Sequence, residues 1–145
     1  MMGIIEFQWR ARLGRIVVMT AHFILYVADQ GTSTAFYRAV LGMEPRLDVP
    51  GMTEFELAND CVLGLMPIAG IRRLIGDVLP DPLLAHGIPK AELYLVLPGA
   101  REYHDRAIEA GATELSQMQP RDWGDIAAYS LDPDGHVLAF ATPIP

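Results

Sequence analysis

The feature that most constrains this chain is that one pattern occurs in it twice. Residues 22–27 have strand composition, with Phe23, Leu25 and Val27 on one apolar side. Asp29 then stands where it can cap a helix carrying Ala35, Phe36, Val40 and Leu41, and Gly42 supplies the stop. The same order returns further on, as a strand over residues 92–97, a helix over residues 100–110 and a stop at Gly111. His22 and Glu92 are 70 positions apart and Gly42 and Gly111 are 69 apart, an offset expected of a duplicated unit. Three strand-like runs follow each helix. In the first unit they cover 44–49, 53–58 and 61–66, divided by Pro50-Gly51 and Asn59-Asp60. In the second they cover 113–118, 126–131 and 136–142, divided by residues 119–124 and by Asp132-Pro133-Asp134-Gly135. The chain therefore reads as an α+β protein of two βαβββ modules.

At 145 residues, 51% of them hydrophobic, the chain has the length of one domain and enough apolar side chains for its own core. The expected organisation is an N-terminal extension over 1–18 and a single domain over 19–145. Within it, module 1 spans about 20–67, a linker 68–90, and module 2 about 91–143. The linker is dense in Gly and Pro, and Asp81-Pro82 before Leu83, Leu84 and Ala85 marks one short helix inside it. Ile4, Phe7 and Trp9 in the extension are expected on the outside of the domain or on a partner subunit, and Met19 reads as the older start. A net charge of −7 with no basic cluster argues against a nucleic-acid partner. The apolar run 16–28 contains Thr20 and His22 and is too short for a membrane span. One cysteine, Cys61, cannot form an intramolecular disulfide, so a cytoplasmic location is expected.

Three segments carry a family resemblance. Phe36-Tyr37-Arg38-Ala39-Val40-Leu41-Gly42 resembles a first helix ending in FYxxxLG, and Glu109-Ala110-Gly111-Ala112 resembles the end of the second. Tyr129 to His136, reading YSLDPDGH, is similar to the DPDG hairpin before a last strand, with Trp123-Gly124 upstream. In order and spacing these resemble the vicinal oxygen chelate (VOC) superfamily of glyoxalase I, bleomycin-resistance proteins, fosfomycin-resistance enzymes and extradiol dioxygenases, over residues 20–143. The resemblance implies the glyoxalase/bleomycin resistance/dihydroxybiphenyl dioxygenase-like fold, in which two modules form an open cup.

The resemblance also implies where a metal would be held, because the family's metal enzymes place ligands on the first and fourth strands of each unit. His22 and Glu92 stand at the two first-strand positions, while Gly64 and Ala139 occupy the other two and offer no donor. One imidazole and one carboxylate fall short of the three protein ligands usual in a catalytic site. Strand alternation gives a second, independent reading: if Phe23, Leu25, Val27, Phe55, Leu63, Leu93, Leu138 and Phe140 pack under the helices, the opposite face collects other residues. Those are His22, Tyr26, Glu54, Glu56, Gly64, Met66, Glu92, Tyr94 and Ala139. Tyr26, Glu54, Glu56, Met66, Tyr94, Trp123 and Tyr129 are accordingly the expected ligand-binding residues, with small residues at 64 and 139 leaving room. Glu54 or Glu56 would either replace lost metal ligands or receive an organic cation. Equally, they form a solvated strand face. His86, His104 and His136 are expected at the surface, and Cys61 as a buried, inert thiol.

Three functions follow. The first is a metal-free small-molecule binding protein of the bleomycin-resistance type, with clefts shared by two chains. The second is a divalent-metal-dependent lyase or dioxygenase-like enzyme using His22 and Glu92. The third is a ligand-free interaction module. The cofactor is accordingly none or a divalent metal ion, and the expected partners are a small-molecule ligand and a second copy in a homodimer, with no nucleic acid and no membrane.

Overall fold

The structure is a computed structural model that describes residues 19–145, so the expected extension over 1–18, with Ile4, Phe7 and Trp9, lies outside the described residues. Two four-stranded sheets repeat one topology. In the first, β1 (Ala21–Val27) runs parallel to β4 (Cys61–Pro67), which pairs antiparallel with β3 (Met52–Ala58), and β3 pairs with the short edge strand β2 (Leu47–Val49). In the second, β5 (Glu92–Val96), β8 (Val137–Pro143), β7 (Asp125–Leu131) and β6 (Thr113–Pro120) take the same places. Helix α1 (Gln30–Leu41) crosses from β1 to β2 and α3 (Ala100–Glu109) from β5 to β6. The two βαβββ modules expected from the sequence are thus present.

The helix ends follow local chemistry. Asp29 Oδ2 accepts from the Thr32 backbone N–H at 2.8 Å, and Gly42 closes α1 at φ 67°, where a side chain would be strained. The linker holds more structure than expected. Besides the 3-10 turn over Pro82–Ala85, capped by Asp81, an eight-residue helix α2 (Ile68–Ile75) forms despite Gly70. Its short apolar period, Ile68, Ile71, Leu74 and Ile75, outweighs the single glycine and buries Ile71.

One core serves both modules. Val27, Phe36, Tyr37, Val40, Phe55, Leu63 and Leu65 from the first meet Ala107, Leu138 and Phe140 from the second, with α1 packed against α3. Burying a side chain such as Phe55 contributes about 1.5–3 kcal/mol. Phe23 was expected in this core and is instead 57% exposed. It lies near the start of an edge strand, whereas α1 packs on β3 and β4. Strands β1, β2, β5 and β6 are sheet edges, and no helix among the described residues is long and apolar enough to cross a membrane.

Candidate functional site

Each sheet turns one face to the shared core and leaves the other open, and alternation decides which residues the open face receives. On the first sheet, Ile24, Gly64 and Glu54 lie side by side across β1, β4 and β3. The room expected at Gly64 is taken: a Cβ there would meet Ile24 Cγ1 at 3.0 Å and Met52 Sδ at 3.3 Å. Glu54 is mostly buried and committed on both sides. Its Oε1 accepts from Arg46 Nε at 2.9 Å, and its Oε2 lies 3.5 Å from His22 Nδ1. Glu56 is exposed, while Tyr26 and Met66 are half-buried. An acidic pair open to a cation is therefore absent from this face, because Arg46 neutralises one member and water surrounds the other.

The second sheet presents an aromatic face. Tyr94, Ala139 and Tyr129 lie side by side across β5, β8 and β7, and Ala139 is fully buried between the two phenols. The expected room at 139 is likewise absent. The Tyr94 hydroxyl donates to Asp125 Oδ2 at 2.6 Å and accepts from Trp123 Nε1 at 2.8 Å. Burial and the Asp125 hydrogen bond hold the Tyr94 hydroxyl above its ordinary range, so it stays protonated. Tyr129 is raised as well, by burial and then by the Glu92 charge. The Arg121 guanidinium stands 5.1 Å from the Tyr129 ring centre and donates to the Ala127 carbonyl and the Ser116 hydroxyl. Beside them is a recess of about 370 Å³ lined by Pro89, Lys90, Ala91, Glu92, Tyr129 and Val137. A second recess, of about 400 Å³, lies between α1 and β2 and contains none of the expected site residues.

Among the described residues, one group of three potential metal ligands comes together, and it is not the expected one. Asp132, Asp134 and His136 offer atoms within 4.8 Å of one another in the β7–β8 turn. The acceptor positions of Asp132 are already filled. Oδ1 accepts from the backbone N–H groups of Asp134 and His136, and Oδ2 accepts from the Tyr37 hydroxyl at 2.6 Å and faces His136 Nδ1 at 2.9 Å. Asp134 Oδ1 accepts from the Ala28 N–H. These bonds tie the second module's turn to α1 and to the end of β1, which is a structural role.

His22 and Glu92 stand on edge strands of different sheets, and β1 does not pair with β5. With an apolar contact at 64 and a buried methyl at 139, the residues at the four positions where the resemblance implies ligands do not fit a metal.

Two histidines expected at the surface have definite partners. His104 is 4% exposed, with Nε2 2.8 Å from Glu114 of β6, on a helix that packs over the second sheet. His136 is half-buried against Asp132. Cys61 is half-buried rather than enclosed, being the first residue of β4. Sequence reasoning missed Asp125 and Arg46. Asp125 carries a readable signal, since it shares alternation with Ala127 and Tyr129; Arg46 carries none, because it precedes β2 and reaches Glu54 across a turn.

Residues 20–140 match the family model described as Glyoxalase/Bleomycin resistance protein/Dioxygenase superfamily. No curated protein sequence matches the chain. Among solved structures, the fold is similar to that of a glyoxalase-related enzyme from Fulvimarina pelagi, at 20% identity and TM-score 0.72, covering 87% of this chain and 88% of that one. It is similar to a glyoxalase/bleomycin resistance protein/dioxygenase family enzyme from Burkholderia phytofirmans PsJN, at 18% identity and TM-score 0.70, covering 88% and 100%. A protein of unknown function from Agrobacterium tumefaciens str. C58 matches at 19% identity and TM-score 0.72, covering 88% and 96%.

Proposed function

The chain belongs to the Glyoxalase/Bleomycin resistance protein/Dioxygenase superfamily, and on that premise we propose that it binds a small organic molecule on the open faces of its sheets without a metal. The observation that carries this reading is the filling of both donor-less ligand positions: Ile24 and Met52 close over Gly64, and Ala139 is buried between Tyr94 and Tyr129. What the second sheet offers is Trp123, 56% exposed, beside Tyr129, Tyr94 and Glu92. Such a surface suits a ring stacked on indole, with a cation drawn by the carboxylate and the aromatic faces. Tyr26, Glu54, Glu56 and Met66 belong to the other half of the site, on the first sheet.

The two halves lie on separate sheets, and β1 and β5, edge strands among the described residues, expose Phe23, Ile24 and Val96. A homodimer that brings the first sheet of one copy to the second sheet of another supplies a complete cleft and covers those edges. Cytoplasmic residence accords with the lone Cys61.

The metal-dependent alternative draws on one contact, that of His22 with Glu54, and Glu54 is already paired with Arg46. The experiment is elemental analysis of the purified protein, then titration of wild type and His22→Ala with nickel, manganese, iron(II) and zinc, and a thermal-shift screen of cationic and aromatic compounds. The expected result is no stoichiometric metal, and stabilisation by ring compounds that grows with ligand concentration. Metal bound one to one and lost in His22→Ala overturns the metal-free reading. Light scattering that gives a monomer overturns the shared cleft.

A further inference from the structure

Three side chains on the second sheet's open side are strung in one direction. Trp123 Nε1 donates to the Tyr94 hydroxyl at 2.8 Å, and that hydroxyl donates to Asp125 Oδ2 at 2.6 Å. Tryptophan has one N–H and tyrosine one O–H, so this relay consumes every donor the two rings possess. Besides the indole face this leaves a ligand two sets of acceptors, the second oxygen of Asp125 and the carboxylate of Glu92, with the Tyr129 hydroxyl and Lys90 in the adjoining recess. Neither carboxylate has a cationic partner among the described residues. The Arg121 guanidinium makes no ion pair with either of them and directs its Nη2 to the carbonyls of Ala127 and Gln117 and to the Ser116 hydroxyl.

We propose that Asp125 is a positioning residue that acts through Tyr94 to fix the indole of Trp123, and that the site so built takes a flat ring ligand bearing hydrogen-bond donors on its edge. This rests on the reading of the open face as a ligand site. An untethered, largely exposed indole samples several rotamers, and a ligand stacking on it has to freeze them. Tethering at Nε1 removes that cost before binding, which is preorganisation. The hydrogen bond to a carboxylate is short because it is charge-assisted, so the far end of the relay is its strongest link. A ligand without edge donors would leave the Asp125 and Glu92 oxygens desolvated and unpaired, and is selected against for that reason.

The test uses the full chain in a Trp9→Phe background, where Trp123 is the single indole. Near-ultraviolet circular dichroism reports how firmly Trp123 is held. Fluorescence quenching reports binding of proflavine, a flat cation with two amino groups, and of anthracene-2-sulfonate, a flat anion without donors. Expected are proflavine binding well above that of the sulfonate and, in Asp125→Ala, a flattened Trp123 band with affinity lowered about tenfold, the scale of one aromatic or cation–π contact. Asp125→Asn keeps an acceptor for Tyr94 and retains the band. Tyr94→Phe removes one oxygen, leaves the packing, and reproduces the loss, which covers the case of an alanine variant that does not fold. An unchanged band and affinity in both Asp125→Ala and Tyr94→Phe overturn the positioning role. Equal affinity for the two probes overturns the donor selectivity. Binding of neither probe overturns the inference as a whole, while the ligand-site reading is decided separately by the thermal-shift screen.

Discussion

Four hydrogen bonds converge on the side chain of Asp132, and its carboxylate has no exposure to solvent. Burial alone would push that carboxyl up; the hydrogen bonds from His136 and Tyr37 outweigh it and hold it below the ordinary carboxylate value. Burial likewise pulls His136 down, but the hydrogen bond and charge of Asp132, with Asp134 behind it, leave it raised above 6.5. A histidine whose folded value is raised stabilises the fold fully below 6.5, and the contribution is lost as pH rises through that folded value. Urea unfolding of the wild type should therefore show stability declining as pH climbs from 6.5 through the His136 titration, and His136→Gln should remove that slope. An identical slope in the variant would assign the effect to another group. Asp132 acts in the opposite sense: its contribution is present above 3.8 and lost as pH falls through its lowered value. Asp132→Ala leaves the Tyr37 hydroxyl, two backbone N–H groups and His136 without their acceptor, and should cost about 3–5 kcal/mol in denaturant unfolding.

At the scale of elements, the β7–β8 turn is pressed against the linker. Gly135 has φ 90°, and a Cβ there would stand 2.9 Å from the Gly87 carbonyl oxygen, which is backbone and cannot swing aside. Gly135→Ala should therefore lower stability by about 1–3 kcal/mol, read from the urea midpoint, whereas Gly124→Ala meets nothing within 4 Å and bears only the backbone strain of its own positive φ. If the two substitutions cost the same, the linker contact is not carried by Gly135. The strands and principal helices were legible because alternation and the Asp29, Gly42 and Gly111 punctuation are local signals. Helix α2 was not, since eight residues containing a glycine give too short a period to separate from a linker. On the site, alternation gave which residues share a sheet face, Val62 apart, but not their state. That Glu54 meets Arg46, that Ile24 leans over Gly64, and that Asp125 receives Tyr94 depend on neighbours brought in from other strands and turns.

Across the whole molecule, the modules are joined by the shared core and by polar ties. Tyr37 reaches Asp132, Ala28 reaches Asp134, and Arg106 of α3 donates to the Val40 carbonyl at the end of α1 at 2.9 and 3.1 Å, with its guanidinium 4.3 Å from the centre of the Tyr103 ring. The described region should consequently unfold in one cooperative transition, with calorimetric and van't Hoff enthalpies in agreement. Two resolved transitions would mean that the modules fold separately. Arg106→Ala should cost about 1.5–3 kcal/mol, the scale of a hydrogen bond from a charged donor, without splitting the transition.

The bond from Tyr37 to Asp132 also bears on ancestry. At offsets of 69 and 70, the positions in α3 that correspond to Tyr37 are Arg106 and Ala107, and neither can give a phenol to a buried carboxylate. In this respect the two halves are lock and key to each other and are not interchangeable. A chimera built from two copies of the first half would have a phenol without its keyhole, and one built from two copies of the second would have a keyhole without its phenol.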